Sequence, residues 1–331
     1  MRRILTFAAA LTFAMAGAQS ARAQSKIIRI DGSSTVFPVT EAVAEEFQKA
    51  NRETKVTVGI SGTGGGFKKF TRGEIDIADA SRPISAKEMA DAKAAGVEFI
   101  ELPIAFDALT VMVNPKNNWV KELTVEDLKK IWSPDAQGKI TRWNQIRSEW
   151  PDAEMKLYGA GSDSGTFDYF TEAIVGKAKS SRGDYTASED DNVLVQGIAN
   201  DRNALGYFGY AYYAENQDKL KAVPVVNNEG KPVAPSPEAV KDGSYNPLSR
   251  PVFIYVNKRS LVQKPEVKRF VDFYIANAPE LVKEVKYVPL PDEVYKMAQQ
   301  RVNGLKTGTA FGGKDAVGLK VDELFKRELK N

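Results

Sequence analysis

The sequence of 331 residues contains neither cysteine nor histidine. Without cysteine the chain has no disulfide, no thiol nucleophile and no lipid-modified N-terminal cysteine. Without histidine it lacks the usual general base, the commonest metal ligand and the central residue of a Ser-His-Asp triad. These absences argue against a hydrolase, and we expect no catalytic residue, no metal site and no cofactor.

Long apolar runs are also scarce, and the longest stands at the front of the chain. The stretch MRRILTFAAALTFAMAGAQSARA (1–23) combines leading arginines, an apolar core and small residues before Gln24, which is typical of a cleaved export signal. Its core is shorter than the roughly 20 apolar residues that a membrane anchor needs. The sequence therefore predicts a signal peptide over residues 1–23 and a mature protein in the periplasm.

An excess of one charge is missing as well. The chain has 46 Lys and Arg against 43 Asp and Glu, and residues 1–23 hold three arginines and no acid, which leaves 43 of each. A near-neutral chain has no strong basic field for nucleic acid or an anionic lipid surface. We expect no nucleic-acid or membrane-surface partner, and we expect a monomer.

A strand followed by a polar turn and a helix is the unit that the sequence does contain. The strands KIIRI (26–30), KVTVGI (55–60) and MKLYGA (155–160) run into the turns DGSSTVFP, SGTGGG and GSDSGT, and helical apolar spacing follows each turn. This alternation predicts an α/β fold with largely parallel sheets. Ligands of such folds gather at the carboxyl ends of the strands, so the turns are the candidate site.

Each turn offers the chemistry of a helix N-terminus. The unpaired N–H groups and the partial positive charge of a helix start suit anions, and glycine lets a ligand approach the backbone. A small tetrahedral oxyanion would use all three turns, although each turn could instead only cap its own helix. The hydroxyls available belong to Ser33, Ser34, Thr35, Ser61, Thr63, Ser164 and Thr166.

Other glycine-rich and serine-based sites fit less well. No stretch matches G-x-x-x-x-G-K-[ST] or G-x-G-x-x-G, which argues against a nucleotide site. GISGT places Thr63 where a nucleophile elbow needs glycine. A serine hydrolase that uses Lys68 or Lys69 as its base stays open as a minor alternative.

Two extended apolar stretches divide the chain. They cover residues 97–115 and 250–257, and the piece between them has the size of a domain with its own strand, turn and helix. We predict one lobe from residues 24–113 and 250–331 and a second lobe from residues 114–249. The chain would cross between the lobes twice, and closure would bend the crossings near 110–114 and 250–254.

Five segments in order resemble the PstS family, the phosphate-binding subunit of the bacterial phosphate ABC importer. They are DGSSTVFP, SGTGGGFKKF, IADASRPIS, GSDSGTFDYF and TASEDDNVLVQGIANDRNALGYFGYAYY, and the likeness covers nearly all of residues 26–257. The resemblance implies a two-lobed type II periplasmic binding protein fold with two inter-lobe crossover strands. It also implies that the lobes close around one inorganic phosphate and that a membrane permease receives it.

The resemblance also carries the family's phosphate contacts onto particular residues. The implied contacts are Ser34, Thr35, Ser61, Ser81, Ser164, Gly165 and Thr166. Two charged positions depart from the familiar pattern, since Arg82 stands where many members have an aspartate and Ala160 replaces an arginine. We predict that Arg82 supplies the cation in a bidentate pairing with phosphate. The alternative for Arg82 is a surface arginine ahead of Pro83.

Selectivity requires an acidic acceptor, because phosphate carries a proton near neutral pH and sulfate does not. A buried carboxylate accepts that proton's hydrogen bond and repels a fully ionised oxyanion. Asp163 is the first candidate and Asp79 the second. We therefore expect a phosphate receptor, with a receptor for sulfate or molybdate, or a secreted hydrolase that uses Ser61 or Ser164, as the alternatives.

Overall fold

The computed structural model describes residues 26–162, 164–188 and 190–313. The predicted export signal, the candidate acid Asp163 and the tail beyond Gly313 lie outside the described residues. Within the described ranges, no helix combines the length and the apolar character needed to cross a bilayer.

Strands and helices alternate along both halves of the chain. The strands are β1 (Lys26–Gly32), β2 (Thr54–Ile60), β3 (Ile77–Ala80), β4 (Phe99–Val113), β5 (Lys156–Ala160), β6 (Thr186–Ser188), β7 (Ala204–Gly209), β8 (Lys221–Ala222), β9 (Val225–Val226), β10 (Pro232–Val233) and β11 (Ser249–Asn257). The helices are α1 (Phe37–Ala50), α2 (Gly62–Phe70), α3 (Ala86–Ala94), α4 (Val125–Trp132), α5 (Gly165–Val175), α6 (Asp191–Asn200), α7 (Tyr210–Glu215), α8 (Pro237–Lys241), α9 (Lys258–Gln263), α10 (Pro265–Glu284) and α11 (Asp292–Asn303).

The large sheet follows the order β2-β1-β3-β11-β4-β7-β5-β6, and β8 pairs with β4. Strands β2, β1 and β3 are parallel at one end, and β7, β5 and β6 are parallel at the other. Between them, β11 runs antiparallel to both β3 and β4, and β4 runs antiparallel to β7. The predicted α/β architecture is confirmed, with an antiparallel centre between two parallel halves.

The two central strands carry the chain between the lobes. Along β4, residues up to Ala108 pair with β11, and residues from Leu109 onward pair with β7. Every residue of β4 and β11 is buried, which explains why both read as continuous apolar stretches. The change of partner at Ala108 lies slightly before the predicted bend at 110–114, and β11 begins at Ser249. The exact lobe boundaries stay a prediction.

Helices cover both halves of the sheet with aromatic contacts. In the first lobe α1 packs on α10, where the rings of Phe47 and Phe270 meet edge to face at 5.2 Å. In the second lobe the ring of Phe170 on α5 stacks on Tyr207 of β7 at 3.6 Å. The helical spacing that predicted these faces is a consequence of this burial.

Local capping signals in the sequence define several helix ends. Ser85 and Glu88 form a capping box at the start of α3. The C-terminal helix α11 ends at Asn303, directly before Gly304. Beyond it, Gly308 bridges to Ile100 of β4.

Candidate functional site

The three polar turns lie where β1, β2 and β5 end, and each precedes a helix, as predicted. Helix α1 follows β1, α2 follows β2, and α5 follows β5 across the inter-lobe cleft. The loop after β3 adds Ser81, which is buried. Within each lobe the parallel strands end at one edge, and the strands of one lobe run opposite to those of the other. The helix starts of both lobes therefore face one region between them.

The first turn begins at a glycine that no other residue could replace. Gly32 has a φ of 147°, and a Cβ there would lie 2.1 Å from the carbonyl oxygen of Asp79. This close approach lets the Ser33 N–H donate to the same carbonyl at 3.0 Å. The N–H groups of Ser34 and Thr35 have no acceptor among the described residues. The turn therefore presents free backbone donors ahead of α1.

One hydroxyl in this turn is buried and has no partner in the described part of the chain. The Oγ of Ser33 is fully buried and makes no hydrogen bond within the described part of the chain. A buried polar atom without a partner is unfavourable by about 1–3 kcal/mol, so such atoms in native structures often mark a ligand site. Ser33 is one of the hydroxyls of the first turn, although the family resemblance does not mark it as a contact.

The second turn places a different residue in the cleft from the one predicted. Ser61 is exposed, and its hydroxyl donates to Asp31 at 2.5 Å, while the ammonium of Lys69 also contacts that carboxylate. Thr63 is buried instead, with its hydroxyl 2.9 Å from that of Ser81. Thr63 thus occupies the inner position of this turn, and Ser61 lies at its outer side.

The third turn brings the second lobe against the first. Ser164 caps α5, since its hydroxyl accepts the N–H of Thr166 at 3.1 Å. The hydroxyl oxygens of Thr166 and Thr35 lie 3.5 Å apart. At Gly165 a Cβ would lie 2.1 Å from the Ser81 hydroxyl and 3.4 Å from that of Ser33. The lobes therefore meet through small polar groups, and the missing side chain at Gly165 leaves room for the Ser81 hydroxyl.

A buried arginine that the sequence motifs do not mark joins these groups. Arg250, near the start of β11, is 1% exposed and pairs with Asp107 of β4 at 3.0 Å. Its guanidinium also donates to the carbonyl of Gly165 at 2.7 Å and to the hydroxyl of Thr35 at 3.2 Å. The signal that could have found it is a lone charge at the start of RPVFIYVN (250–257), an otherwise apolar strand.

The predicted cation Arg82 already has an acidic partner. Both terminal nitrogens donate to the carboxylate of Glu88 at 2.9 Å, and the guanidinium lies over the ring of Phe67 at 5.4 Å. Burial works against the charge of Arg82, but the hydrogen bonds and the negative charge of Glu88 outweigh it and raise its pKa. The bidentate partner in this structure is a carboxylate of the same lobe, whereas the sequence predicts phosphate.

The second candidate acid, Asp79, faces away from the inter-lobe contact. Its carboxylate accepts from the Thr40 hydroxyl of α1 at 3.1 Å, and Thr40 lies 3.0 Å from the hydroxyl of Tyr274 on α10. Burial raises the pKa of Asp79 well above its usual range, and the charge of Asp31 adds to this. Its other oxygen is buried without a partner among the described residues. Burial therefore favours the neutral form of Asp79 beneath α1.

The position of the missing arginine is filled by a small side chain. Ala160 ends β5 and is 1% exposed.

Within residues 26–162, 164–188 and 190–313, no group of acids is arranged to hold a metal ion. The donors at the cleft are hydroxyls, backbone N–H groups and one guanidinium, a set suited to an oxyanion.

Comparisons with known proteins agree with this architecture. The chain matches the PBP superfamily domain over residues 16–278. It is 54% identical over 310 residues to Protein SphX of Synechococcus elongatus, covering 94% of this chain and 91% of that protein. It is 38% identical over 280 residues to the phosphate-binding protein PstS of Staphylococcus saprophyticus, covering 84% of this chain and 85% of that protein.

A solved structure shows the same fold with a ligand. It is a substrate-binding protein from Clostridium perfringens, assigned to a phosphate ABC transporter and solved with bound phosphate. The sequences are 29% identical, the TM-score is 0.65, and the match covers 80% of this chain and 100% of that chain. The predicted type II periplasmic binding protein fold is confirmed.

Proposed function

Because the chain belongs to the PstS family within the PBP superfamily, we propose that it binds inorganic phosphate between its lobes and delivers it to the permease of an ABC importer. The observation that carries this proposal is the meeting of Thr35 and Thr166, hydroxyls of opposite lobes 3.5 Å apart, beside a buried guanidinium. An oxyanion placed there would be held by both lobes at once. Binding would therefore stabilise the closed form.

Backbone and hydroxyl donors at the cleft supply the binding energy. The first lobe contributes the N–H groups of Ser34 and Thr35 and the hydroxyl of Ser33. None of these groups has a hydrogen-bond partner among residues 26–162, 164–188 and 190–313. Hydrogen bonds to a charged group contribute about 1.5–3 kcal/mol each. Several of them suffice for micromolar affinity, which corresponds to roughly −8 kcal/mol. No covalent step is needed.

The proposed contacts follow from this geometry and from the family resemblance. Thr63 joins the set because it is buried against Ser81, whereas Ser61 and Arg82 rest on the resemblance alone, since each already bonds a carboxylate of its own lobe. The proposed contacts in the cleft are Ser33, Ser34, Thr35, Thr63, Ser81, Ser164, Gly165 and Thr166.

A receptor role also fits the state of the serines. The Ser164 hydroxyl accepts the Thr166 N–H as a helix cap, and no histidine exists in the chain to activate it. We propose that the protein has no hydrolase activity. A chromogenic phosphate ester offered to the purified protein should remain intact, and turnover that disappears in a Ser164→Ala variant would contradict this.

The cellular location and the assembly state belong to the same proposal. The family's role as a substrate-binding component and the signal-like segment 1–23 support export to the periplasm. We propose a mature monomer that begins at Gln24. Mass spectrometry of the exported protein and size-exclusion chromatography with light scattering would measure both.

Isothermal titration of the ligand-free protein with phosphate and with sulfate tests the function. We expect a single tight site for phosphate and no heat from sulfate at pH 6 and pH 8. Tight sulfate or molybdate binding with silent phosphate would overturn the choice of ligand. Asp163→Asn should let sulfate compete if Asp163 accepts the phosphate proton.

A further inference from the structure

Arg250 is the one group in the described residues that we find bonded to proposed contacts of both lobes. Its Nη2 donates to the Thr35 hydroxyl at 3.2 Å, and its Nη1 donates to the Gly165 carbonyl at 2.7 Å. It comes from neither helix start, because it lies on β11, one of the two strands that connect the lobes. Its terminal nitrogens therefore straddle the contact between the lobes.

The hydrogen bonds of this guanidinium leave donor capacity on that edge. The guanidinium has five N–H groups. The N–H of Nε and one N–H of Nη2 donate to the same oxygen of Asp107, at 3.2 and 3.0 Å. The other N–H of Nη2 donates to the Thr35 hydroxyl, and one N–H of Nη1 donates to the Gly165 carbonyl. The second N–H of Nη1 has no acceptor among the described residues. The edge formed by Nη1 and Nη2, which faces the cleft, can thus donate a further hydrogen bond to a ligand.

The two other positions at which a cation is expected provide no arginine that is available to a ligand. Ala160 replaces the arginine of the familiar pattern, and Arg82 pairs with Glu88 through both terminal nitrogens. A buried ion pair such as Arg250 with Asp107 is weak support for stability, since apolar replacements are often as stable. Arg250, however, lies between two proposed ligand contacts, Thr35 and Gly165, where its charge can act on a bound anion. A purely structural ion pair would have no such role.

Resting on the proposed function, we infer that Arg250 is the cation of the phosphate site, provided by the crossover strand. In the complex, Nη1 and Nη2 donate to two phosphate oxygens, and Asp107 holds the opposite edge of the guanidinium. Planar two-point pairing of this kind is the geometry in which arginine binds phosphate best. The Thr35 hydroxyl then donates to the same anion.

The Asp107 pairing leads to a prediction with a definite sign. Asp107 competes with phosphate for the positive charge of Arg250, and both side chains are almost fully buried, at 3% and 1% exposure. Removing the carboxylate charge should therefore preserve or tighten phosphate binding, while removing the guanidinium should weaken it. A pair with only a structural role would give the same sign for both changes.

The test is calorimetric titration of the full-length mature protein with inorganic phosphate, alongside thermal melting. We expect Arg250→Lys and Arg250→Gln to raise the Kd by about 10- to 100-fold, the loss of one or two charge-assisted bonds. Asp107→Asn should leave the Kd unchanged or lower it. Arg182→Lys is the matched control, because Arg182 is 3% exposed and pairs with Asp184 inside the second lobe; it should lower the melting temperature and leave the Kd unchanged.

The outcomes separate this inference from the proposed function. If the wild type binds phosphate and Arg250→Gln binds it within twofold, the inference is overturned and the function stands. Equal weakening by Asp107→Asn and Arg250→Lys would also overturn it, because both would then act through the fold. A wild type that does not bind phosphate overturns the proposed function together with the inference.

Discussion

Two arginines lie near the same cleft and differ in almost every physical respect. Arg82 follows β3 in a loop, has a side chain 22% exposed and forms a two-point pair with Glu88 six residues later. Arg250 lies on a fully buried strand, and its acceptors come from β4, from the first turn and from α5. The sequence motif pointed to Arg82, whereas the contacts across the lobes point to Arg250. Hydrogen bonds to both lobes are therefore better evidence for a residue of the binding site than a position next to a sequence motif.

The largest effect is expected at the place where the lobes touch. Gly165→Ala puts a methyl group 2.1 Å from the Ser81 hydroxyl, so that hydroxyl must leave its position between the lobes before they can close beside Arg250. We expect phosphate affinity to fall by more than about 100-fold with little change in melting temperature, because alanine is tolerated in the first turn of a helix. Titration calorimetry and melting measure the two quantities. A normal Kd would show that this contact is not part of the bound state.

The next effect concerns the hydroxyls that accompany Arg250. Thr35→Val and Thr166→Val remove hydroxyls from opposite lobes that lie 3.5 Å apart. Each should weaken phosphate binding by about tenfold, the value of one bond to an anion. Since both hydroxyls would serve one ligand, the double variant should be non-additive. Full additivity in a double-mutant cycle would place them at separate sites.

A smaller effect separates the two arginines directly. Arg82→Gln removes a cation that Glu88 already neutralises, so we expect the phosphate Kd to rise no more than about threefold, through weaker long-range attraction. Raising the salt concentration should remove that difference. Glu88→Gln is the control, because it frees Arg82 and should tighten binding slightly. A loss as large as that of Arg250→Gln would restore Arg82 as the cation of the site.

The second turn offers a similar contrast between an outer and an inner hydroxyl. Ser61→Ala removes an exposed group bonded to Asp31, while Thr63→Val alters a buried group 2.9 Å from Ser81. We expect less than about a twofold change in Kd for the first and several-fold weakening for the second, in line with one hydrogen bond at the site. The reverse order would return Ser61 to the inner position.

The smallest effect on binding, and a measurable one on stability, is expected at Asp79. Burial raises the pKa of Asp79, so the folded protein favours the protonated carboxyl. The resulting stabilisation is complete below the unfolded pKa of about 3.9. It is lost as the pH rises through the folded pKa. Asp79→Asn should therefore melt about 2–4 °C above the wild type at pH 8, with the difference shrinking toward pH 4. The phosphate Kd should not change. A lower melting temperature at pH 8 would mean that the carboxylate is ionised and needed.

Much of the fold was predictable because its units are local. Strand, polar turn and helix recur within short windows, so β1, β2, β5 and the helices after them could be located from apolar spacing alone. The capping box of Ser85 and Glu88 was equally readable. The two crossover strands could be recognised because burial on every side requires an unbroken apolar run.

The candidate site was only partly predictable, because its last members come from packing. Whether Ser61 or Thr63 enters the cleft depends on the orientation of the first turn of α2, which spacing does not determine. Arg250 lies about 85 positions from Gly165 along the chain, and no short motif contains both. The family resemblance marked the turns, but it could not show that Glu88 already pairs with Arg82.

The most direct test of the comparison between the two arginines is a crystal structure of the mature protein grown with phosphate. The account predicts one phosphate between the lobes, with its oxygens within hydrogen-bond distance of the Thr35 and Thr166 hydroxyls and the terminal nitrogens of Arg250, and with the pair of Arg82 and Glu88 intact. A phosphate bound to Arg82 with that pair broken, and Arg250 still held only by Asp107, Thr35 and Gly165, would contradict it.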